Sequence, residues 1–410
     1  MQVATQQARH VAPILRLLAP MARAALGGGG SSSTSSSGSG FGGAGQPSGA
    51  ARPFAAAAQP ANAMALIKEL REKSGAPIGD VKACLAATGW DVDSAYDALR
   101  KKGLAAAAKK ASRRAAEGLV GLALRGAAKA AVLEVNSETD FVGRSELFRR
   151  LVAEGAVAAL SLSGGAGGAP REAAEGEVAA LPVPSPSGYE QPAAAAAGGA
   201  RVPLPDACAE VAAKVRENIK LRRAFVLEAP SGGVVGGYVH MPAGPGLGRI
   251  VSAVALGPAG GGGVPDGQRG AAAELAASLA MHVAGFKPLY SDRGGVPAAV
   301  LEAERKLLLE QAAGSGKPAA VLEKMVEGRL AKWAQEMCLL DQKYLLDDSV
   351  TVRQLLQRQG PALLGGGGGG GGGGLVVTGF LRVQVGEGLG AAEAKSFADE
   401  VSEMAGGGRG

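Results

Sequence analysis

Seven consecutive residues, Asn136, Ser137, Glu138, Thr139, Asp140, Phe141 and Val142, carry the clearest sign of chemistry in this chain. An apolar run from Ala130 to Val135 reads as a strand before them, and a helical pattern opens near Arg144. A Phe flanked by an Asp at such a strand-to-helix turn can project from the rim of a sheet. It then pairs one large apolar contact with one acidic group, which suits prying at another protein. The blander alternative makes Phe141 a core aromatic and Asp140 the N-cap of the next helix. The residues alone leave both open.

Other reactive groups are few. Cys84, Cys208 and Cys338 stand far apart with no CxxC spacing and no Cys/His cluster. That excludes a zinc ribbon and points to a reducing compartment. Cys84 falls on an apolar helical stripe and reads as core. There are three histidines (His10, His240, His282), and the GxSxG, HExxH and GxxxxGK[ST] patterns are absent. An enzyme is not expected, nor a cofactor. Met281-His282-Val283, on an Ala-rich helix, is a second candidate contact, against the plainer reading of a satisfied core or surface histidine. No second ligand lies at helical or hairpin spacing from His282, so no metal site is expected.

The elements that must position these groups follow from periodicity and punctuation. Residues 64–103 read as three short helices. Leu66, Ile67 and Leu70 face inward on the first, Ile78, Val81 and Leu85 on the second, and Val92, Ala95 and Leu99 on the third. Gly75, Gly89 and Gly103 act as stops, Pro77 opens the second helix and Asp91 caps the third. From Gly118 the pattern becomes strand, strand, helix: Leu119–Arg125, Ala130–Asn136, Arg144–Leu160. The Gly/Ala/Pro-rich residues 161–204 read as a disordered insertion. The unit then recurs as strands Arg223–Ala229, Val234–His240 and Arg249–Leu256 and a helix Gly270–Ala284, which suggests an internal duplication. Pro297–Ala313 and Pro318–Gln335 read as an antiparallel helix pair, the second with an inner stripe of Leu322, Met325, Val326, Leu330 and Trp333. Ten glycines, Gly365–Gly374, form a loop before a last strand, Leu375–Val385, and a terminal helix, Ala391–Met404.

The fold class expected is therefore α+β with antiparallel sheets. Its segments are a leader and linker (1–62), a three-helix basic module with a connecting helix (63–117), core half one (118–160) and a low-complexity insertion (161–206). Core half two (207–296), a helical hairpin arm (297–345), a linker holding the poly-Gly tract (346–374) and a last strand with C-terminal helix (375–410) complete it.

Four ordered blocks of sequence carry a family resemblance. Val-Asn-Ser-Glu-Thr-Asp-Phe-Val (135–142) resembles the Thr-Asp-Phe-Val signature of elongation factor Ts. Leu-Arg-Glu-Lys-Ser-Gly-Ala-Pro-Ile (70–78) is similar to that family's opening, Met281-His282-Val283 matches a family contact point, and Ser-Gly-Lys-Pro with Glu-Lys-Met-Val-Glu-Gly-Arg (315–318, 323–329) matches its helical arm. The resemblance covers about residues 64–160 and 207–404. It implies a ubiquitin-associated-like first module, a duplicated core, and guanine-nucleotide exchange on an organellar elongation factor Tu, met both GDP-bound and empty. It also implies partner contacts at Thr139, Asp140, Phe141 and Val142 that dislocate the partner's Mg²⁺, further contacts at Met281, His282 and Val283, and no direct nucleotide binding. The small module alone also permits a ubiquitin-associated-type adaptor without exchange activity.

Charge refines the picture. The formal balance is +6, yet residues 1–62 hold four arginines (Arg9, Arg16, Arg23, Arg52) and no acid, so the remainder stands at +2. Residues 68–114 carry eleven basic and six acidic side chains, with Lys101, Lys102, Lys109 and Lys110 as candidate contacts. Aromatic stacking partners are missing there, which argues against nucleic acid. A solvated helix face or an acidic protein surface fits better. No apolar run approaches the ~20 residues of a membrane span. The acid-free, Arg- and Ser-rich start reads as an import peptide for the mitochondrial matrix, with a plastid as the alternative. Residues 1–62 fused to a fluorescent reporter are expected to direct it to mitochondria, and microscopy finding it in plastids would reverse that reading.

Overall fold

The structure, a computed structural model, describes residues 59–74, 76–110, 112–189, 199–260, 262–313, 318–365 and 374–389. The leader, most of the poly-Gly tract and the expected C-terminal helix lie outside the described residues. From Asn62 onward the chain forms one unit of α+β architecture, with ten helices among the described residues and strands that pair antiparallel throughout.

Helices α1 (Ala63–Ser74), α2 (Ile78–Ala87) and α3 (Val92–Lys110) enclose Leu70, Val81, Leu85, Trp90 and Ala95 in a small core of their own. Asp91 caps α3 as expected, accepting the Ser94 backbone N–H at 2.8 Å, and Cys84 is buried. Two expectations fail here. Ile78 is exposed rather than inward. Gly103 does not stop α3: good helix formers follow it, and a Cβ there would lie 3.0 Å from the Ala213 Cβ. It is a glycine of close packing between helices.

Strands β1 (Glu117–Arg125) and β2 (Lys129–Ser137) form a hairpin in register from Glu117 opposite Ser137 to Arg125 opposite Lys129. Every residue of β2 is buried. Its other edge pairs with β6 (Lys220–Glu228), and β7 (Val234–Gly244) and β8 (Leu247–Pro258) follow. The two expected halves thus share one seven-stranded sheet, in the order β11-β8-β1-β2-β6-β3 with β7 alongside β8, where β11 is Leu375–Gln384 and β3 is Arg171–Glu172.

Helix α4 (Glu146–Ala159) covers the first half, with Phe148, Leu151 and Val152 fully buried. It approaches so closely that a Cβ on Gly155 would lie 2.4 Å from Leu133 Cδ2. The opposite faces of the strands bury Val120, Val132, Leu227, Val251, Ala253 and Val383 against one another in a second, strand-only cluster.

Residues 161–204 are not the disordered insertion expected. β3 pairs with β6, helix α5 (Glu175–Ala179) follows, and β4 (Pro182–Pro184) pairs with β5 (Arg201–Pro203) before helix α6 (Leu204–Val215). Val178, Leu181, Val183 and Val202 enter the same core as α4. The reason is that four spaced apolar side chains suffice to bury a Gly- and Pro-rich segment when a core is already at hand. Only residues 190–198 of it lie outside the description.

Helix α7 (Asp266–Phe286) packs on β7 and β8 so tightly that a Cβ on Gly236 would lie 2.2 Å from the Ala277 nitrogen. Helices α8 (Ala298–Ala313) and α9 (Ala319–Met337) are tied by an ion pair between Arg305 and Glu327. Val326 and Ala334 of α9 are buried. The described part of the expected linker 346–374 holds structure: β10 (Asp347–Thr351) pairs with β9 (Lys343–Tyr344) at the end of the segment expected as the arm, and helix α10 (Val352–Leu363) buries Val352, Leu355 and Leu356.

One buried charge pins the sheet. The Glu134 carboxylate of β2, fully buried, accepts from Arg222 Nη1 and Arg223 Nε, each at 2.7 Å, and from the Gly386 backbone N–H at 2.8 Å. Two adjacent residues of one strand ordinarily face opposite sides. A register shift between β2 and β6 at Glu134/Val135 lets both arginines reach the same acid. Glu134→Ala is therefore expected to cost about 3–5 kcal/mol of unfolding free energy, as removal of one partner leaves half-buried arginines unpaired. Urea titration checks it, and a loss under about 1 kcal/mol would show the network to be dispensable.

Candidate functional site at the end of strand β2

Strand β2 ends at Ser137, and the chain crosses the rim of the sheet before a single 3-10 turn, Val142–Arg144, leads into α4. Both ends of this crossing are anchored. Ser137 is fully buried and its hydroxyl donates to the Thr139 carbonyl at 2.8 Å. Val142 is 6 % exposed and sits in the core beneath α4 with Leu119. Thr139 is half-buried between them.

Asp140 and Phe141 are what the two anchors leave outside. Phe141 is 70 % exposed, the largest exposed aromatic face on the described surface. Asp140 is not the N-cap of α4. That role belongs to Ser145, whose hydroxyl accepts the Phe148 N–H at 3.3 Å. The Asp140 carboxylate instead accepts from Arg144 Nη2 at 3.0 Å, and the Arg144 guanidinium lies 5.5 Å from the Phe141 ring centre. Such an exposed pair contributes only about 0–1 kcal/mol, so it is readily exchanged for contacts to another molecule. Of the four residues expected at this contact, two are presented to solvent, while Val142 holds the turn down and Thr139 is gripped from the side.

The second candidate is arranged differently from the expectation. His282 and Val283 are fully buried and Met281 is half-buried, so His282 is not itself a surface contact. Burial follows from the helical stripe, since Leu275, Leu279 and Val283 carry α7 into the core on the same side. His282 Nδ1 accepts the Leu345 backbone N–H at 3.2 Å. Its Nε2 therefore carries the proton and donates to Gln342 Oε1 at 2.8 Å. The ring stacks on Phe286 at 4.6 Å. Phe286 and Leu345, which touch this imidazole, are exposed, as is Leu346 next in the chain. Sequence reasoning passed over these three, although consecutive leucines beside a turn were a readable sign of an apolar tip.

Within the basic module, Lys101 is exposed and Lys102 is bonded to Asp80 at 2.6 Å. The side chain of Lys109 lies outside the described ones. Lys102 and Lys110 line a cleft of about 350 Å³ together with Tyr96, Arg100, Glu210 and Lys214, rather than a plain solvent face. Arg100 bridges to Asp206 and Glu210 of α6, which fastens the module to the core.

Nothing in the cysteines suggests a nucleophile. Burial pushes the Cys208 thiol up to about 12 and the Cys338 thiol up to about 11, and it raises Cys84 as well. Among the described residues no three His, Cys, Asp or Glu side chains converge as a metal site would require.

The profile of the family described as Elongation factor TS matches residues 138–387, which begins at the turn bearing Phe141. A protein of Ostreococcus tauri named Elongation factor Ts, mitochondrial, is 41% identical over 342 residues, covering 83% of this chain and 92% of that one. Elongation factor Ts of Paramagnetospirillum magneticum is 42% identical over 341 residues, or 83% and 96% of the two chains. The mitochondrial elongation factor Ts of Zea mays is 38% identical over 84% of this chain and 85% of its own.

Burial lowers the His282 pKa, opposed in part by the bond to Gln342. With the folded value below the ordinary ~6.5, the unfolded chain takes up a proton that the folded one refuses. Stability is then full above about pH 6.5 and declines as pH falls from there toward the depressed folded value. His282→Gln is expected to flatten this decline when urea midpoints at pH 7.5 and 5.5 are compared. An unchanged slope would mean the imidazole is not held neutral.

Proposed function

This chain belongs to the elongation factor Ts family, the guanine-nucleotide exchange factors of elongation factor Tu, and we propose that Phe141 is the wedge with which it opens its partner. The observation carrying this reading is a 70 % exposed phenylalanine held between two buried anchors. An exposed Phe costs solubility, and among the described residues no crevice of the protein itself receives it.

An exchange factor need not touch the nucleotide. It has to bind the empty GTPase better than the loaded one, and by reciprocity the nucleotide is then weakened by the same factor. Each ~1.4 kcal/mol of such coupling is tenfold in affinity. Full burial of a Phe contributes roughly 1.5–3 kcal/mol, and most of that remains to be gained by a side chain still in water. Entering between helices of the GTPase, the ring would shift their packing. Asp140, released from Arg144, would compete for the groups that position Mg²⁺ at the phosphates.

One wedge does not supply enough. The module α1–α3, of ubiquitin-associated-like form, adds charge and area at a distance. The pair α8–α9 acts as an arm, and the apolar tip of Phe286, Leu345 and Leu346, set in place by His282, makes the second contact. The partner is an organellar elongation factor Tu, GDP-bound at first encounter and empty after release. The names of the relatives from Ostreococcus tauri and Zea mays support a mitochondrial location.

The test is Phe141→Ala beside Asp140→Ala. Phe141→Ala is expected to leave the melting temperature nearly unchanged and to slow GDP release from the Tu partner by roughly tenfold or more, the kinetic equivalent of forgoing ~1.5–3 kcal/mol of apolar burial. Asp140→Ala should slow it less, and less again once Mg²⁺ is chelated. Stopped-flow release of fluorescent GDP measures both. Destabilised folding with normal exchange per folded molecule would return Phe141 to a structural part.

A further inference from the structure

The turn that presents Phe141 is gripped by residues far away in sequence. The Glu217 carboxylate accepts the Thr139 backbone N–H at 2.9 Å through one oxygen and the Thr139 hydroxyl at 2.6 Å through the other. The next residue returns the contact, since the Asn218 backbone N–H donates to Glu138 Oε1 at 2.6 Å. Asn218 Nδ2 donates to the Arg113 carbonyl at 2.7 Å, and the Arg113 guanidinium lies 3.6 Å from Glu138. Residues 138–139 and 217–218 thus exchange side-chain bonds in both directions, with the segment between α3 and β1 closing the circuit.

Register explains why these residues meet. Asn136 of β2 lies opposite Lys220 of β6 in an antiparallel ladder. The residues just after β2 must therefore run beside those just before β6. Arg216 ends α6 in the left-handed conformation, φ 61° and ψ 23°, which turns the chain sharply out of the helix. Glu217 and Asn218 follow directly and continue the ladder with side chains where the backbone pairing has ended.

We infer that Glu217 is a positioning residue for exchange: it fixes the backbone at Thr139 and so the direction in which Phe141 leaves the rim. This rests on the reading of Phe141 as the wedge. A side chain 70 % exposed has little packing of its own to hold it, and its aim is inherited from the backbone beneath. Ser137 and Val142 fix the two ends of the turn, and the bidentate grip on Thr139 fixes its middle. Charge-assisted bonds of this kind are about twice as strong as neutral ones, and Glu217 is half-buried, which shields them from competing water.

The full chain is tested by stopped-flow GDP release from the Tu partner across a range of its concentrations. Glu217→Ala is expected to lower the maximal rate about tenfold, since even ~1 Å of misplacement in an assembled site can cost roughly a hundredfold. The concentration giving half the maximal rate should move less than about twofold, because the outlying contacts that set affinity are untouched. Glu217→Gln, whose amide oxygen still accepts the Thr139 N–H, should recover much of the rate. Glu217→Ala combined with Phe141→Ala should be no slower than Phe141→Ala alone, as two changes acting through one element do not add. If Glu217→Ala fails to fold, Thr139→Val, which removes the hydroxyl alone, must slow release in the same sense. A folded Glu217→Ala chain with full exchange, or additive losses in the double variant, overturns the inference while a slow Phe141→Ala keeps the wedge. Normal exchange by Phe141→Ala removes the wedge and the positioning role together.

Discussion

The pairing of β2 on both edges is the constraint from which the rest of the molecule follows. β1 fixes it on one side and β6 on the other, and α4 and the strand-only cluster bury its two faces. A strand held on four sides has no freedom of register, because a slip of one residue would turn its whole apolar set to the wrong face. The last residue of that strand, Ser137, is consequently a fixed point. Five residues later Val142 re-enters the same core. What lies between can only be a short exposed turn, so the site is a by-product of a ladder that stops and a core that resumes.

The buried Glu134 adds a second constraint to the same strand. Removing a carboxylate from water is costly, and paired burial is often no better for stability than apolar packing. Its worth here is in joining segments. It collects Arg222 and Arg223 from β6 and the Gly386 N–H from the end of β11, while Arg222 and Arg382 both reach Glu387. Segments more than 250 residues apart are thereby fixed to one strand. The chain that follows Glu387 leaves from a place set by β2, as the Phe141 turn does.

Much of this was legible from residues alone. Alternating and continuous apolar runs located β1, β2, β6, β7 and β8, whereas Phe141 was left open between rim and core until its 70 % exposure decided it. Failures had physical causes that can be named. Thr351 and Gln354 form a capping box before Val352, Leu355 and Leu356, a readable helix signal that neighbouring glycines obscured. Residues 161–204 look disordered by composition, yet order comes to them from a core they did not build. The contact expected at His282 came from the resemblance, and the plainer core reading wins because its partners Gln342 and Leu345, 60 and 63 residues away, hold the ring inside. Glu217 carries no local signal at all. Its meaning appears only when the register of β6 against β2 is known.

The wedge proposed for Phe141 sets limits on its own support. Whatever ordering the wedge requires on binding is subtracted from the contact energy available to pry the partner open. A loosely held Phe would spend part of its ~1.5–3 kcal/mol on being brought into line. A turn already bonded at Thr139 and buried at both ends has met that cost during folding, where the large core of the sheet covers it. Arg144 complements this arrangement, because its weak hold on Asp140 and its place over the Phe141 ring shield the pair without binding it strongly. For the wedge proposed above, rigidity beneath and lability above are different requirements that fall on different residues: Glu217 and Val142 hold the backbone, and the Arg144 pair is the exposed, weakly held one.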